Sequence, residues 1–209
     1  IGRVFKALTG PVMAEPKIEV LSKDGRSEPG RVSDMLPSRL PDMFDGDQLT
    51  LLGRYIGNEP VVFRLSGNYL GQKKTFKFKF DFDNASNKNG FVPRLWASRR
   101  IADLIDIIRQ MGANGKGTQD DPKVKELVSE IVKLSTEFGI LTEYTAFLAK
   151  EGTDLADRER IISDASVNLE ERAVRTRAGL AAVSQSVNVD AQKSQISLKY
   201  RNEFYDQNM

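Results

Sequence analysis

Residues 91–97 read Phe91-Val92-Pro93-Arg94-Leu95-Trp96-Ala97, and they begin a region, residues 91–147, whose pattern is the clearest in the chain. Apolar residues then recur three and four positions apart: Ala97, Ile101, Leu104, Ile105, Ile108 and Met111. This spacing predicts a helix with one apolar stripe against a core. The residues predicted to face water are Arg99, Arg100, Asp103, Asp106 and Arg109. Pro93 falls in the first turn, where a helix tolerates proline, and Gly112 supplies a stop.

A second helix is predicted after a glycine-rich connection. Asp121 is a typical N-cap and Pro122 a typical first helical residue, and Gly139 follows the last apolar position. The apolar stripe consists of Val124, Leu127, Val128, Ile131, Leu134 and Phe138. Two helices with one stripe each must bury those stripes on each other or on a sheet. Residues 87–150 are therefore predicted to be a packed helical pair.

Strands are predicted upstream of the helices. Phe76, Phe78, Phe80 and Phe82 alternate with polar residues, which is the clearest period-two pattern in the chain. Further strands are predicted at residues 17–21, 48–56 and 61–65, with turns at 57–60 and 67–71. This succession predicts an antiparallel sheet over residues 14–86. Its phenylalanine face needs a cover, either from the two helices or from another domain, and the pattern leaves both open.

Residues 151–209 differ from the rest of the chain in composition. Alanine, serine, arginine and glutamine become more frequent, and no aromatic residue occurs before Tyr200. Loose helical spacing predicts a long helix to about Ser184, followed by an extended polar segment over residues 188–209. The predicted fold class is thus α+β. An antiparallel sheet that forms half of a sandwich is followed by a helical pair and by a C-terminal helix with an extended tail.

Composition excludes several kinds of site. The 209 residues contain no cysteine and no histidine, which rules out disulfides, thiolate nucleophiles and zinc sites built from those residues. The net charge of +2 gives no reason to expect a nucleic-acid partner. No apolar run approaches the ~20 residues of a membrane-spanning helix.

Two acidic clusters and two loops resemble binding sites. The clusters are Asp42, Asp45 and Asp47 around Gly46, and Asp81, Asp83 and Asn84 after the phenylalanine strand. Either cluster could form turns or hold Ca²⁺, and turns are favoured. Residues 164–168 resemble an Asp-x-Ser-x-Ser magnesium loop, but their charged flanks favour a helix. Residues 112–118 lack the Gly-Lys-Ser/Thr order of a phosphate loop and predict a connector.

No catalytic, cofactor-binding or metal-binding residue is predicted in this chain. Candidate interaction or structural anchors are Arg94, Trp96, Phe76, Phe78 and Phe80. Arginine and tryptophan contribute strongly to protein interfaces, so Arg94 and Trp96 form a candidate hot spot. The favoured alternative is that Trp96 anchors its helix on the sheet.

Five segments carry a resemblance to a known family. They are residues 40–49 (Leu-Pro-Asp-Met-Phe-Asp-Gly-Asp-Gln-Leu), 91–97, 107–112 (Ile-Ile-Arg-Gln-Met-Gly), 126–135 (Glu-Leu-Val-Ser-Glu-Ile-Val-Lys-Leu-Ser) and 138–148 (Phe-Gly-Ile-Leu-Thr-Glu-Tyr-Thr-Ala-Phe-Leu). They resemble the region after the von Willebrand A domain in proteins that carry a vault/inter-alpha-trypsin (VIT) domain, such as the inter-alpha-trypsin inhibitor heavy chains. Bacterial members usually read Thr-Pro-Tyr-Thr-Ser-Phe-Leu where this chain has Glu143 and Ala146.

The resemblance, which covers residues 1 to about 150, implies an origin and a function. Residues 1–13 would be the end of an A domain, and the chain would be a fragment of a longer polypeptide. The sheet would combine with strands that precede the A domain in that polypeptide. The implied function is a non-enzymatic scaffold or adhesion module that orients a metal-dependent A domain, whose divalent cation lies outside this chain. Implied partners are the N-terminal VIT and A-domain part of the same polypeptide and other proteins, in the periplasm, at the cell surface or in secretions.

Two alternative functions remain open. One is a hydrolase that uses carboxylates, since the chain has 29 acidic residues from which a catalytic pair could be drawn. The other is a free-standing subunit that docks a partner protein through its apolar sheet face.

Overall fold

The computed structural model describes residues 10–83, 85–86, 88–113, 121–142, 145, 160–165, 167 and 180–194. Antiparallel sheets are followed by helices, so the predicted α+β fold class is confirmed. The chain divides into two compact units, residues 1–89 (the sheet unit) and residues 90–209 (the helical unit). The helix end predicted before Gly10 and the tail beyond residue 194 lie outside the described residues.

The sheet unit contains two antiparallel sheets. Its strands are β1 (Met13–Ser22), β2 (Val32–Leu36), β3 (Leu52–Tyr55), β4 (Val61–Tyr69) and β5 (Gln72–Phe80). The larger sheet has the strand order β1-β4-β5, and the smaller one pairs β2 with β3. A short 3-10 helix, Pro29–Arg31, precedes β2.

A tight hairpin joins β4 to β5. Leu70 and Gly71 form its turn with φ angles of 50° and 81°. Positive φ at both central positions is typical of the type I′ turn, whose twist matches that of the flanking strands. The turn sets an unbroken register in which Phe78 lies opposite Phe63 and Phe80 opposite Val61.

This register separates the larger sheet into an apolar and a charged face, because side chains alternate along a strand. The apolar face carries Ile18, Val20, Val61, Phe63, Leu65, Phe76, Phe78 and Phe80. The charged face carries Lys17, Glu19, Arg64, Lys73, Lys77 and Lys79 together with Leu21 and Val62, and Lys74 is the lysine of β5 that lies on the apolar face.

A small core forms where the loop before β3 meets the larger sheet. Met13, Leu40 and Leu65 are buried there, and Ile18, Met43, Leu49, Leu51 and Tyr69 pack against them. Two backbone hydrogen bonds tie the loop to β1: Met43 N donates to Met13 O at 2.9 Å, and Met13 N donates to Met43 O at 3.1 Å. Of the strand predicted at residues 48–56, only Leu52–Tyr55 is strand, because β3 has just the short β2 ladder to pair with.

The helical unit contains α1 (Phe91–Ala113), α2 (Pro122–Phe138) and α3 (Leu180–Lys193). The predicted ends of α2 are confirmed. Asp121 is the N-cap, accepting a hydrogen bond from Lys123 N at 2.8 Å. Gly139 ends the helix with a φ of 60°, the left-handed conformation in which glycine carries no Cβ penalty. No helix in the described part of the chain combines the length and apolarity needed to cross a membrane.

The predicted apolar stripe of α1 is buried from Ala97 to Ile108, and Met111 is half-buried. Of the residues predicted to face water, Arg100, Asp103, Asp106 and Arg109 are half-buried and Arg99 is buried. Arg99 is only 5% exposed. Both α2 and α3 pack on α1. Gln192 Nε2 donates to Ser98 O at 2.9 Å, and Lys193 Nζ lies 2.8 Å from Asp106 Oδ2. On the α2 side, Arg100 Nε donates to Glu130 Oε1 at 2.9 Å.

The C-terminal helix extends further than predicted. Helix α3 ends at Lys193, beyond Ser184, and so includes residues 188–193 that were predicted to be extended. Val189 is 5% exposed, and this burial together with the bonds to α1 stabilises the additional turns. Residues 160–165 are helical, in agreement with a helix rather than a magnesium loop at Asp164; Ser166 and Asn168 lie outside the described residues.

Candidate interaction surface

An apolar groove of about 520 Å³ lies between the apolar face of the larger sheet and the β2–β3 pair. The sheet contributes Ile18, Phe63, Leu65, Phe78 and Phe80 to its lining. The opposite wall includes Val32, Met35, Met43, Leu49, Leu51 and Tyr55. Six separate segments of the sheet unit therefore build one continuous apolar surface.

The groove opens at β5, since burial on the apolar face decreases from the centre of the sheet to this strand. Val61 on the central strand is 1% exposed, whereas Phe76, Phe78 and Phe80 are 37%, 48% and 50% exposed. Edge-to-face contacts hold the phenylalanine rings on the face: Phe63 with Phe80 at 5.4 Å and Tyr69 with Phe76 at 5.8 Å between ring centroids. Phe76 and Phe80 thus contact neighbouring rings, and all three phenylalanines remain partly exposed.

An aromatic stack marks the end of the groove beyond β5. The ring of Phe82 lies parallel to that of Tyr55, with 4.4 Å between centroids and 13° between planes. Phe82 is the fourth phenylalanine of the predicted alternation, but β5 ends at Phe80. Its ring reaches β3 and helps to line the groove.

The charged face of β5 carries a row of lysines, Lys73, Lys77 and Lys79. Lys77 lies opposite Arg64, whose Nε is 2.8 Å from Glu19 Oε2. The hydrogen bond and charge of Arg64 lower the pKa of Glu19, and the same pairing raises the pKa of Arg64. In the described part of the chain, no carboxylate forms an ion pair with any lysine of this row.

Arg94 and Trp96 lie in the contact between α1 and α2. Arg94 Nη2 donates to Gly139 O at 3.1 Å, where the backbone leaves α2. Trp96 is 8% exposed and meets Phe138 edge to face at 6.5 Å. These two candidates therefore belong to the helical unit, whereas Phe76, Phe78 and Phe80 belong to the sheet unit.

Side chains of the acidic clusters accept backbone hydrogen bonds, two of them local and one from β1. Asp42 Oδ1 accepts from Glu15 N at 2.8 Å, and Asp47 Oδ2 accepts from Phe44 N at 2.8 Å. Asp81 Oδ1 accepts from Asp83 N at 3.2 Å, while Asn84 lies outside the described residues. Among the residues with described positions, no three acidic side chains come together in a way that could hold a metal ion.

Comparison of the chain with protein-family models, with curated proteins and with solved structures gives no match.

Proposed function

We propose that this chain is a non-enzymatic protein-interaction module whose docking surface is the apolar groove with the phenylalanine row of β5. The observation that carries the proposal is the exposure of Phe76, Phe78 and Phe80 beside an open groove. Contiguous exposed apolar patches rimmed by polar residues are typical of interaction sites. Full burial of an exposed phenylalanine contributes roughly 1.5–3 kcal/mol, and because these three rings are half exposed or less, covering them supplies about half of that for each ring.

The chemistry of the lining favours a protein over a small molecule. Small-molecule sites combine apolar walls with a few convergent polar groups that fix the ligand's orientation. In this groove Tyr55 supplies the one hydroxyl among the lining side chains, and the others are aliphatic, thioether or phenylalanine. A surface of this kind suits the apolar side chains of a partner polypeptide.

The family resemblance suggests which polypeptide region the partner belongs to. The resemblance implies that the N-terminal part of the same polypeptide covers the sheet and that the sheet unit orients an A domain that binds a ligand through a divalent cation. The corresponding setting is the periplasm, the cell surface or the extracellular space. The segments 40–49 and 91–97 support this assignment.

Association with the upstream region of the parent polypeptide tests the proposal. That region is expressed separately and mixed with the 209-residue chain, and complex formation is measured by sedimentation velocity. We expect a 1:1 complex with the wild-type chain that Phe78→Glu does not form. The matched control is Phe91→Glu, since Phe91 is 43% exposed and lies in the helical unit. Circular dichroism checks that both variants fold.

Two results would contradict the proposal. One is a parent polypeptide without an A domain upstream of Ile1. The other is a complex that the Phe78→Glu chain forms as tightly as the wild-type chain does.

A further inference from the structure

We infer that the partner docks by adding a strand to the free edge of β5, and that the added segment alternates apolar with acidic side chains. The inference rests on the proposed function and specifies the geometry and the chemistry of the partner. It commits to a segment of the partner region named above, outside these 209 residues, rather than to a second copy of this chain.

The edge of β5 has the geometry that strand addition requires. One edge of β5 pairs with β4 over nine residues without a register shift, and no described strand pairs with the other edge. The outer edge of β1 is different, since Met13 bridges to Met43 and Leu21 to Ser27. A regular, proline-free edge presents unpaired N–H and C=O groups, which are the template for an additional strand.

The apolar face of the sheet determines one half of the partner's pattern. Because side chains alternate along a strand, every second residue of an added strand lies on the same face as Phe76, Phe78 and Phe80. Apolar residues at these positions cover the exposed rings and extend over the groove that Phe78 and Phe80 line. Strand addition therefore buries the phenylalanine row without any rearrangement of the sheet.

The lysine row determines the other half of the pattern. The remaining side chains of an added strand lie beside Lys73, Lys77 and Lys79, which form no ion pair within the described part of the chain. Glu19, the acidic residue on this face, is engaged by Arg64. Opposite charges in cross-strand positions are favourable, so acidic residues fit here.

The same lysines disfavour a second copy of this chain as the partner. Antiparallel pairing of two β5 edges would place lysines of one copy beside lysines of the other. Like charges in such positions are destabilising, and edge lysines are a common device against self-pairing.

Three terminally blocked peptides of nine residues, the length of β5, test the inference on the full chain. The first alternates valine with glutamate and the second alternates valine with lysine. The third is the valine–glutamate peptide with every backbone nitrogen methylated, which removes the N–H donors of both edges. Binding is measured by calorimetry and located by NMR at the β5 amides. We expect the first peptide to bind, the second to bind at least about tenfold more weakly, and the third not to bind.

A charge-reversal variant makes the test reciprocal. The triple variant Lys73→Glu, Lys77→Glu and Lys79→Glu is expected to prefer the lysine peptide over the glutamate peptide. The control variant Lys23→Glu, Lys123→Glu and Lys133→Glu changes three exposed lysines that lie outside β5 and should keep the wild-type preference.

The following outcomes would each overturn the inference. None of them decides whether the proposed function is correct. Equal binding of the methylated peptide would exclude strand addition, and equal binding of the glutamate and lysine peptides would exclude an acidic partner. Self-association that Phe78→Glu abolishes would identify a second copy as the occupant. Absence of all peptide binding would also overturn the inference, whereas the complex with the upstream region decides the proposed function independently.

Discussion

Glu19 of β1 and Arg64 of β4 form an ion pair that links the edge of the larger sheet to its centre. Arg64 Nε donates to Glu19 Oε2 at 2.8 Å. This hydrogen bond, with the charge of the guanidinium, lowers the pKa of Glu19 below its ordinary value of 4.5. The pair matters for the proposed interaction because it leaves Lys77 without a carboxylate on its own sheet face.

The lowered pKa of Glu19 predicts how stability changes with pH. A carboxylate with a lower pKa in the folded state contributes stability above its unfolded pKa, and this contribution is lost as pH falls through the folded pKa. As pH is lowered from above 4.5, we therefore expect the wild-type chain to lose thermal stability more steeply than Glu19→Gln. The difference should be small, because both side chains are partly exposed and solvent screens the pair. Melting temperatures over a pH series provide the measurement, and parallel slopes for the two chains would contradict the prediction.

At the scale of elements, the contact between β1 and β4 depends on a bulge. The register shifts between Ala14 and Lys17, and Glu15 in the bulge has a φ of 49° while its N–H is held by Asp42. Gly67 of β4 lies beneath the bulge. A Cβ on Gly67 would come within 3.0 Å of Ala14 O and 3.1 Å of Met13 Cγ.

The close approach at Gly67 predicts that Gly67→Ala is destabilising. The added methyl group meets backbone that the bulge holds in place, and overpacking of this kind typically costs about 1–3 kcal/mol. Gly30→Ala is the control, because no heavy atom lies within 4 Å of its Cβ position. Urea denaturation of the two variants and the wild-type chain provides the measurement. Equal midpoints for Gly67→Ala and Gly30→Ala would show that the strands separate easily at the bulge.

Elements with local signals were predictable from the sequence, and those shaped by distant contacts were not. Asp121 and Gly139 predicted the ends of α2 because caps act within one turn. Strand β2 went unpredicted because Asp34, with a φ of 50°, breaks the period-two pattern within it. Arg99 was predicted to face water because the sequence showed only the apolar stripe of α1, whereas the packing of α3 on α1 joins segments that are distant in sequence.

At the scale of the whole molecule, the sequence predicted an apolar sheet face that needs a cover but not the groove beside it. The alternation of Phe76, Phe78 and Phe80 made the face visible in the sequence. The opposite wall, which includes Val32, Met35 and Leu51, comes from segments without a regular apolar period. In the sheet unit, β2 and β3 provide part of the cover and leave the β5 side open, which is where we propose that a partner docks.

Hydroxyl-radical footprinting of the phenylalanine row tests this docking surface most directly. Oxidation of Phe76, Phe78 and Phe80 is measured by mass spectrometry in the isolated chain and in the longer polypeptide that the proposal requires, with exposed Phe91 as the internal reference. We predict that the three β5 rings are oxidised readily in the isolated chain and are strongly protected in the longer polypeptide. Equal oxidation of these rings in both proteins would contradict the account.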